Sequence, residues 1–323
     1  MKLGSIRFEA KYMAIQYFYE HKAWSIRWMC KQLNITRAAY YKWLKHETPK
    51  HELENIELVQ LVQEYDEKYD HILGYRRMTA WINRFEGKQY SKNRVYRIMK
   101  MLNIHSVIRK KKRKYHSVTP ENIAENILNR DFFADAPNQK WVTDVTEFKW
   151  YEGPIIHKLY LSAILDLYDR SIVSWAISKR NDNKLVFDTF EQAVAANPEA
   201  KPIFHSDRGF QYTSKSFQAR LRTQEITQSM SRIGHCIDNG PMEGFWGTIK
   251  SEMYYLNKFS DETSLKKAID EYIIFYNTQR PQERFAFQTP LEVRNNALHT
   301  DVLARYPIAV NKRIEKYKAR YTA

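Results

Sequence analysis

Near residue 140 the apolar residues of this chain change period, and no single layer of structure satisfies both patterns. Upstream they recur at helical spacing. Ile26, Met29 and Leu33, then Ala39, Tyr40 and Trp43, mark two short helices between Trp24 and Leu44. Asn34-Ile35 separates them, and Thr36 is placed to cap the second. The pattern returns between Gly74 and Asn103, where residues 75–82 form one helix and Ser91 caps another running through Val95, Ile98, Met99 and Leu102. Residues 53–62 read as an amphipathic connecting helix. A helix, a tight turn and a capped second helix make a helix-turn-helix unit, and two are expected here.

Downstream the pattern is that of strands. Residues 141–150 alternate, 159–167 are largely apolar and 172–177 follow, with turns at Glu152-Gly153-Pro154 and Tyr168-Asp169-Arg170. These three runs predict an antiparallel meander. A helix at 184–196, a strand at 202–206, a helix at 215–222, a strand at 226–230 and helices at 239–255 and 263–277 complete the order expected of an α/β RNase H-like domain. The fold class expected is therefore multi-domain: all-α helix-turn-helix units followed by an integrase-type α/β domain with a mixed five-stranded sheet. The expected partition is 1–50 and 51–105 for the two helix-turn-helix units, 106–135 for a basic linker, 136–295 for the catalytic domain and 296–323 for a basic tail.

Charge is divided as unevenly as periodicity. Residues 1–130 hold 26 Lys and Arg against 13 Asp and Glu, and the remainder 26 against 24. A basic front joined to a near-neutral module is the electrostatic footprint of nucleic-acid binding. Arg37, Tyr41 and Lys42 on one second helix, Arg76 and Arg77 on the later unit, and Lys92, Asn93 and Arg94 opening its second helix are candidate DNA contacts. The run Arg109, Lys110, Lys111, Lys112, Arg113, Lys114 repels itself into an extended arm suited to a phosphate backbone. No apolar run approaches 18 residues and no signal-peptide pattern opens the chain, so a membrane location is not expected. The two cysteines, Cys30 and Cys236, are too few for a cysteine-based zinc finger and fit a reducing cytoplasm.

The acids carry the chemistry. A chance Asp with Glu 36 positions later is expected roughly once in this composition, so context must decide. Asp144 sits mid-strand, where an unpaired charge is costly. Asp207 follows the strand ending His205-Ser206, and Glu243 opens a helix after Asp238-Asn239-Gly240-Pro241. Lys250, two turns beyond Glu243, shares its face with Trp246 or Gly247, whereas Glu252 points about 180° away. Glu147 faces the other side of the sheet from Asp144. Asp166 and Asp169 compete for the site, Asp166 more strongly because it alternates like a strand residue. His205 and His235 read as structural rather than as ligands.

Three blocks, Trp141-Val142-Thr143-Asp144-Val145-Thr146, residues 205–212 and residues 238–250, resemble those of a DDE transposase, and more narrowly of the IS-three family of bacterial insertion-sequence transposases. Residues 276–281, 289–292, 74–77 and 91–95 resemble that family as well. The resemblance spans roughly residues 20–295. It implies Asp144, Asp207 and Glu243 as catalytic residues holding two Mg²⁺ ions, with Mn²⁺ as a substitute, and Lys250 holding DNA phosphate. It implies double-stranded DNA partners, namely the element's terminal inverted repeats and target DNA. A homodimer or higher oligomer on DNA is expected, because two ends must be held together. No heptad seam precedes residue 60, so an upstream-frame product is an expected partner. A DNA-binding regulator with a vestigial catalytic domain is the competing reading, but no acid of the set is missing.

Overall fold

The structure, a computed structural model, describes residues 9–45, 50–108, 124–232, 236–300, 302–306 and 308. The basic run 109–114, His235 and the basic tail beyond 308 lie outside these. The chain divides into two compact units, Met1–Val107 and Ile108–Ala323.

The first unit is helical, with α1 Glu9–Lys22, α2 Ile26–Gln32, α3 Arg37–Leu44, α4 Lys50–Lys68, α5 Tyr75–Phe85 and α6 Lys92–Met101. Thr36 and Ser91 cap α3 and α6, accepting from the N–H groups of Ala39 and Arg94. The turn between α2 and α3 takes Asn34 to φ +54°, and that between α5 and α6 takes Gly87 to φ +62°. Left-handed backbone favours Asn and Gly at these two places. Each helix pair needs a third wall that its own sequence does not announce. Tyr12 and Ile15 of α1 close a core with Met29, Cys30 and Tyr40, and Tyr12 stacks on Trp43 at 5.5 Å. The helix expected at 53–62 is longer, α4, and buries Leu58 and Val62 in the unit that also buries Trp81, Ile82, Val95 and Ile98.

The second unit is the mixed five-stranded sheet. Its elements are β1 Lys140–Glu152, β2 Ile155–Asp166, β3 Ile172–Ser178, α7 Asn183–Ala196, β4 Ile203–Ser206, α8 Phe210–Thr213, α9 Lys215–Thr223, β5 Thr227–Met230, α10 Gly240–Glu252, α11 Glu262–Thr278 and α12 Pro290–Leu298. The strand order is β3-β2-β1-β4-β5. The first three strands pair antiparallel as the expected meander, while β4 and β5 run parallel to β1 and to each other. One face packs on α10 and α11 through Phe148, Leu161, Phe245, Ile249 and Ile273. The other packs on α7 and α9 through Trp141, Ile164, Phe190, Phe204 and Phe217.

A buried ion cluster pins α12 to this sheet. Arg294 donates to Asp166 at 3.1 Å, Asp169 at 2.9 Å, and the side-chain oxygens of Asn138 and Asn197 at 2.6 and 2.8 Å. Both aspartates are completely buried. Burial raises both carboxyls, Asp166 to about 7, and the Arg294 charge opposes this. Arg294→Met leaves two uncompensated buried carboxylates, a loss of about 3–5 kcal/mol in urea unfolding near neutral pH. Because the folded carboxyls bind protons more readily than unfolded ones, that loss shrinks towards about pH 5.

Candidate active site

The register of β1 on β4 places two carboxylates side by side. Lys140, Trp141 and Val142 pair with Ile203, Phe204 and His205. Two residues further along each strand direction are Asp144 and Asp207, so they leave the sheet at the same level, where β4 has ended. Asp207 turns back on itself, its Oδ1 accepting the Gly209 N–H at 2.9 Å. A Cβ at Gly209 would meet that Oδ1 at 3.0 Å and Gln211 Oε1 at 2.9 Å, so a larger residue there must displace one of these side-chain ends.

Helix α10 lies along β1 as a ruler. Asp144, Thr146 and Phe148 share one face of the strand. Trp246 donates its indole N–H to Asp144 Oδ2 at 3.0 Å, and Lys250 donates to Thr146 Oγ1 at 2.6 Å with its ammonium 5.3 Å from the Phe148 ring centroid. Four helix residues rise about 6 Å, close to the span of two strand residues, so the contacts stay in step. Glu243 is exposed, one turn before Trp246, and its charge acts on Asp144.

The electrostatics are those of two acids sharing a site. Burial first, then the neighbouring Asp207 charge, pushes the Asp144 carboxyl up to about 7, against hydrogen bonds from the Val145 and Trp246 N–H groups. Burial also raises Asp207. All the oxygens are hard donors, and two buried carboxyls, one raised further by the charge of the other, are a donor pair a hard divalent cation fits. Glu243 is not gathered with them: among the described residues no three His, Cys, Asp or Glu side chains form a cluster that could hold a metal ion.

The remaining sequence candidates separate. Asp166 and Asp169 are committed to Arg294. Glu252 takes both ends of Arg280 at 2.8 and 2.7 Å, and Glu147 pairs with Lys158 at 2.9 Å. His205 is buried between the Ser229 and Ser231 hydroxyls, and burial lowers it to about 4, which keeps it neutral. Arg37, Tyr41 and Lys42 are exposed on α3, as are Arg76 on α5 and Lys92 and Asn93 on α6. Arg77 instead donates to the Ile72 carbonyl at 2.6 Å. Arg94 ties α6 to α4, donating to Asn55, Glu54 and the His51 carbonyl at 2.7, 3.0 and 3.0 Å. Tyr96, Arg97 and Lys100, not singled out from the sequence, continue the exposed face of α6 at the spacing set by Lys92. Helical periodicity alone would have found them. The sequence places Trp246 only on the helix face shared by Glu243 and Lys250; its bond to Asp144 has no sequence signal.

Residues 134–236 and 243–298 match two integrase core domain families, and residues 52–112 match an HTH-like domain family. The chain is 42% identical over 223 residues to the putative transposase InsK of insertion sequence IS150 from Escherichia coli, covering 69% of this chain and 77% of that protein. It is 35% identical over 277 residues to the 31 kDa protein of insertion element IS600 from Shigella sonnei, covering 82% and 97%. The chain belongs to the IS3 family of insertion-sequence transposases. The transposase InsF of IS3A from Escherichia coli is 28% identical over 306 residues, covering 89% of this transposase and 99% of itself. Among solved structures, the HTLV-2 integrase catalytic core domain in complex with magnesium aligns with 49% of this transposase and 97% of its own chain, at 22% identity and a TM-score of 0.38. No helix among the described residues of the transposase is long and apolar enough to cross a membrane.

The raised Asp144 carboxyl makes metal-free transposase less stable as pH rises from about 4 through about 7, because the folded state holds a proton that the unfolded state releases. Asp144→Asn removes that dependence. Thermal melts across this range then show a midpoint for the variant that changes less with pH than the native one and exceeds it most at pH 7.

Proposed function

We propose that this transposase binds the terminal inverted repeats of its element through α3 and α6 and carries out metal-dependent strand cleavage and 3′-OH strand transfer with Asp144, Asp207 and Glu243. The observation that carries the reading is the level placement of Asp144 and Asp207 by the β1/β4 register, beside a helix that carries Glu243 in its first turn. Asp144, on which the charges of both other acids act, would hold Mg²⁺ together with Asp207 and Glu243. Bound there, the ions would activate the attacking oxygen, from water or a 3′-OH, and stabilise the leaving 3′ oxygen. Mn²⁺ meets the same hard-oxygen preference.

The protein's own residues supply orientation. Trp246 fixes the rotamer of Asp144 by holding one carboxylate oxygen, leaving the other lone pairs for ligation. Lys250 stands about one strand step beyond, half-buried beside Thr146, where a cation meets a DNA phosphate entering along α10. Lys92, Asn93, Tyr96, Arg97 and Lys100 form one exposed stripe on a capped second helix, the geometry that enters a major groove. The run 109–114 adds sequence-independent affinity for phosphates. Leu128, Phe132 and Ala134 of the expected linker are buried in the core of the sheet unit; the rest of the expected partition belongs to this reading, as do action at the bacterial nucleoid, assembly as a dimer or higher oligomer on paired ends and partnership with an upstream-frame product.

Strand transfer with Mg²⁺ on a duplex carrying the element's ends tests the reading. Glu243→Gln lowers joined product by about 10³-fold or more, while gel-shift binding to the ends stays at the native level. Joining that survives this substitution removes Glu243 from the site. In the same assay, Asn93→Ala weakens end binding and narrows the preference for the element's ends over random duplex by about tenfold, as expected for loss of a base contact.

A further inference from the structure

Asp238 is a fourth acid beside the site, and none of the roles above uses it. It lies in the 3-10 turn Cys236–Asn239 that leads into α10, and it is completely buried. Arg130 Nε donates to its Oδ1 at 2.5 Å, and the Arg130 side chain is only 2% exposed. Arg232 adds its backbone N–H at 3.0 Å and two guanidinium N–H groups at 2.9 and 3.1 Å, and Asn126 Nδ2 donates at 3.1 Å. Burial by itself would raise this carboxyl, but the Arg232 and Arg130 hydrogen bonds hold it down to about 2. It is therefore a permanent anion with its lone pairs already taken.

What Asp238 holds is the start of α10. The segment that supplies Asn126 and Arg130 is stitched to the edge strand β5, through Leu128 N–H to Ser229 Oγ at 3.0 Å and Met230 N–H to the Glu125 carbonyl at 3.2 Å. The next residue, Asn239, donates to the carbonyl of Thr143 at 2.9 Å, immediately before Asp144. The first turn of α10 is thus tethered on one side to the β5 edge and on the other to β1. A helix is a stiff lever, so where it starts decides where Glu243 and Trp246 arrive.

We propose that Asp238 is a positioning residue for the site acids: its clamp by Arg130 and Arg232 seats the start of α10 and thereby sets where Glu243 stands relative to Asp144. This rests on the reading of Asp144, Asp207 and Glu243 as metal ligands.

The test uses the full chain and Mn²⁺ alone, with free Mn²⁺ read by electron paramagnetic resonance. Asp238→Asn by itself strands the buried Arg130 charge and lowers Tm. Arg130→Met with Asp238→Asn removes both charges, so Tm returns close to native. The expected result is Mn²⁺ binding about tenfold weaker in this double variant despite its recovered Tm, with no further weakening when Glu243→Gln is added. Arg232→Met, which keeps the buried Arg130 pair, gives an intermediate loss of about threefold and remains informative if the double variant does not fold. Native Mn²⁺ affinity in the folded variants overturns the proposal and leaves Asp238 as part of the fold alone. If Glu243→Gln alone binds Mn²⁺ like the native chain, it is the ligand reading that fails, and the proposal falls with it.

Discussion

Two carboxylates held level at the end of a parallel strand pair are the constraint around which the catalytic unit is built. Asp144 and Asp207 would relax by turning away from each other into water, but the β1/β4 pairing and the Asp207–Gly209 turn prevent it. The Asp207 charge that raises Asp144 is electrostatic strain of the kind a cation between them would relieve. The rest of the unit absorbs that strain. Trp246 holds one oxygen of Asp144, and α10 is fixed to the strand again at Thr146.

Buried charge elsewhere in the unit is treated differently. Arg294 with Asp166 and Asp169, Arg280 with Glu252, and Arg130 and Arg232 with Asp238 are each closed by direct pairing. All but the Arg232–Asp238 pair join residues remote in sequence: α12 to the β2–β3 turn, the end of α11 to the end of α10, and the segment before β1 to the start of α10. These pairs contribute little net energy relative to apolar packing, but each is expensive to break from one side, which makes them alignment devices for the elements around the site. The contrast between closed pairs and the open pair at Asp144 and Asp207 is what distinguishes a structural acid from a candidate ligand here.

The helical unit divides its arginines in the same manner. Arg77 and Arg94 turn inward to a carbonyl and to α4, whereas Lys92, Asn93, Tyr96, Arg97 and Lys100 stay in solvent. A basic residue at the start of a helix reads as a DNA contact from its charge alone. Only the position of α4 reveals that Arg94 is a strut and that the face offered outward continues further along α6.

The order of the five strands and of the helices α7, α9, α10 and α11, the antiparallel meander, the caps at Thr36 and Ser91 and the break at Asn34 were readable in the sequence, because periodicity and capping act over a few residues. So was the choice of Asp144, Asp207 and Glu243 as candidates, since the blocks around them are long and ordered. Helix α1 escaped that reading: its wall is made of tyrosines and an isoleucine whose burial depends on Met29 and Tyr40. Competition from Asp166 and Asp169 could be settled only by Arg294, more than a hundred residues away. The tertiary structure likewise decided the Trp246 bond to Asp144, the exposed position of Glu243 and the clamp on Asp238. Local propensity is set by neighbours in the chain, while the partner of a buried charge is set by the packing of elements that meet only after folding.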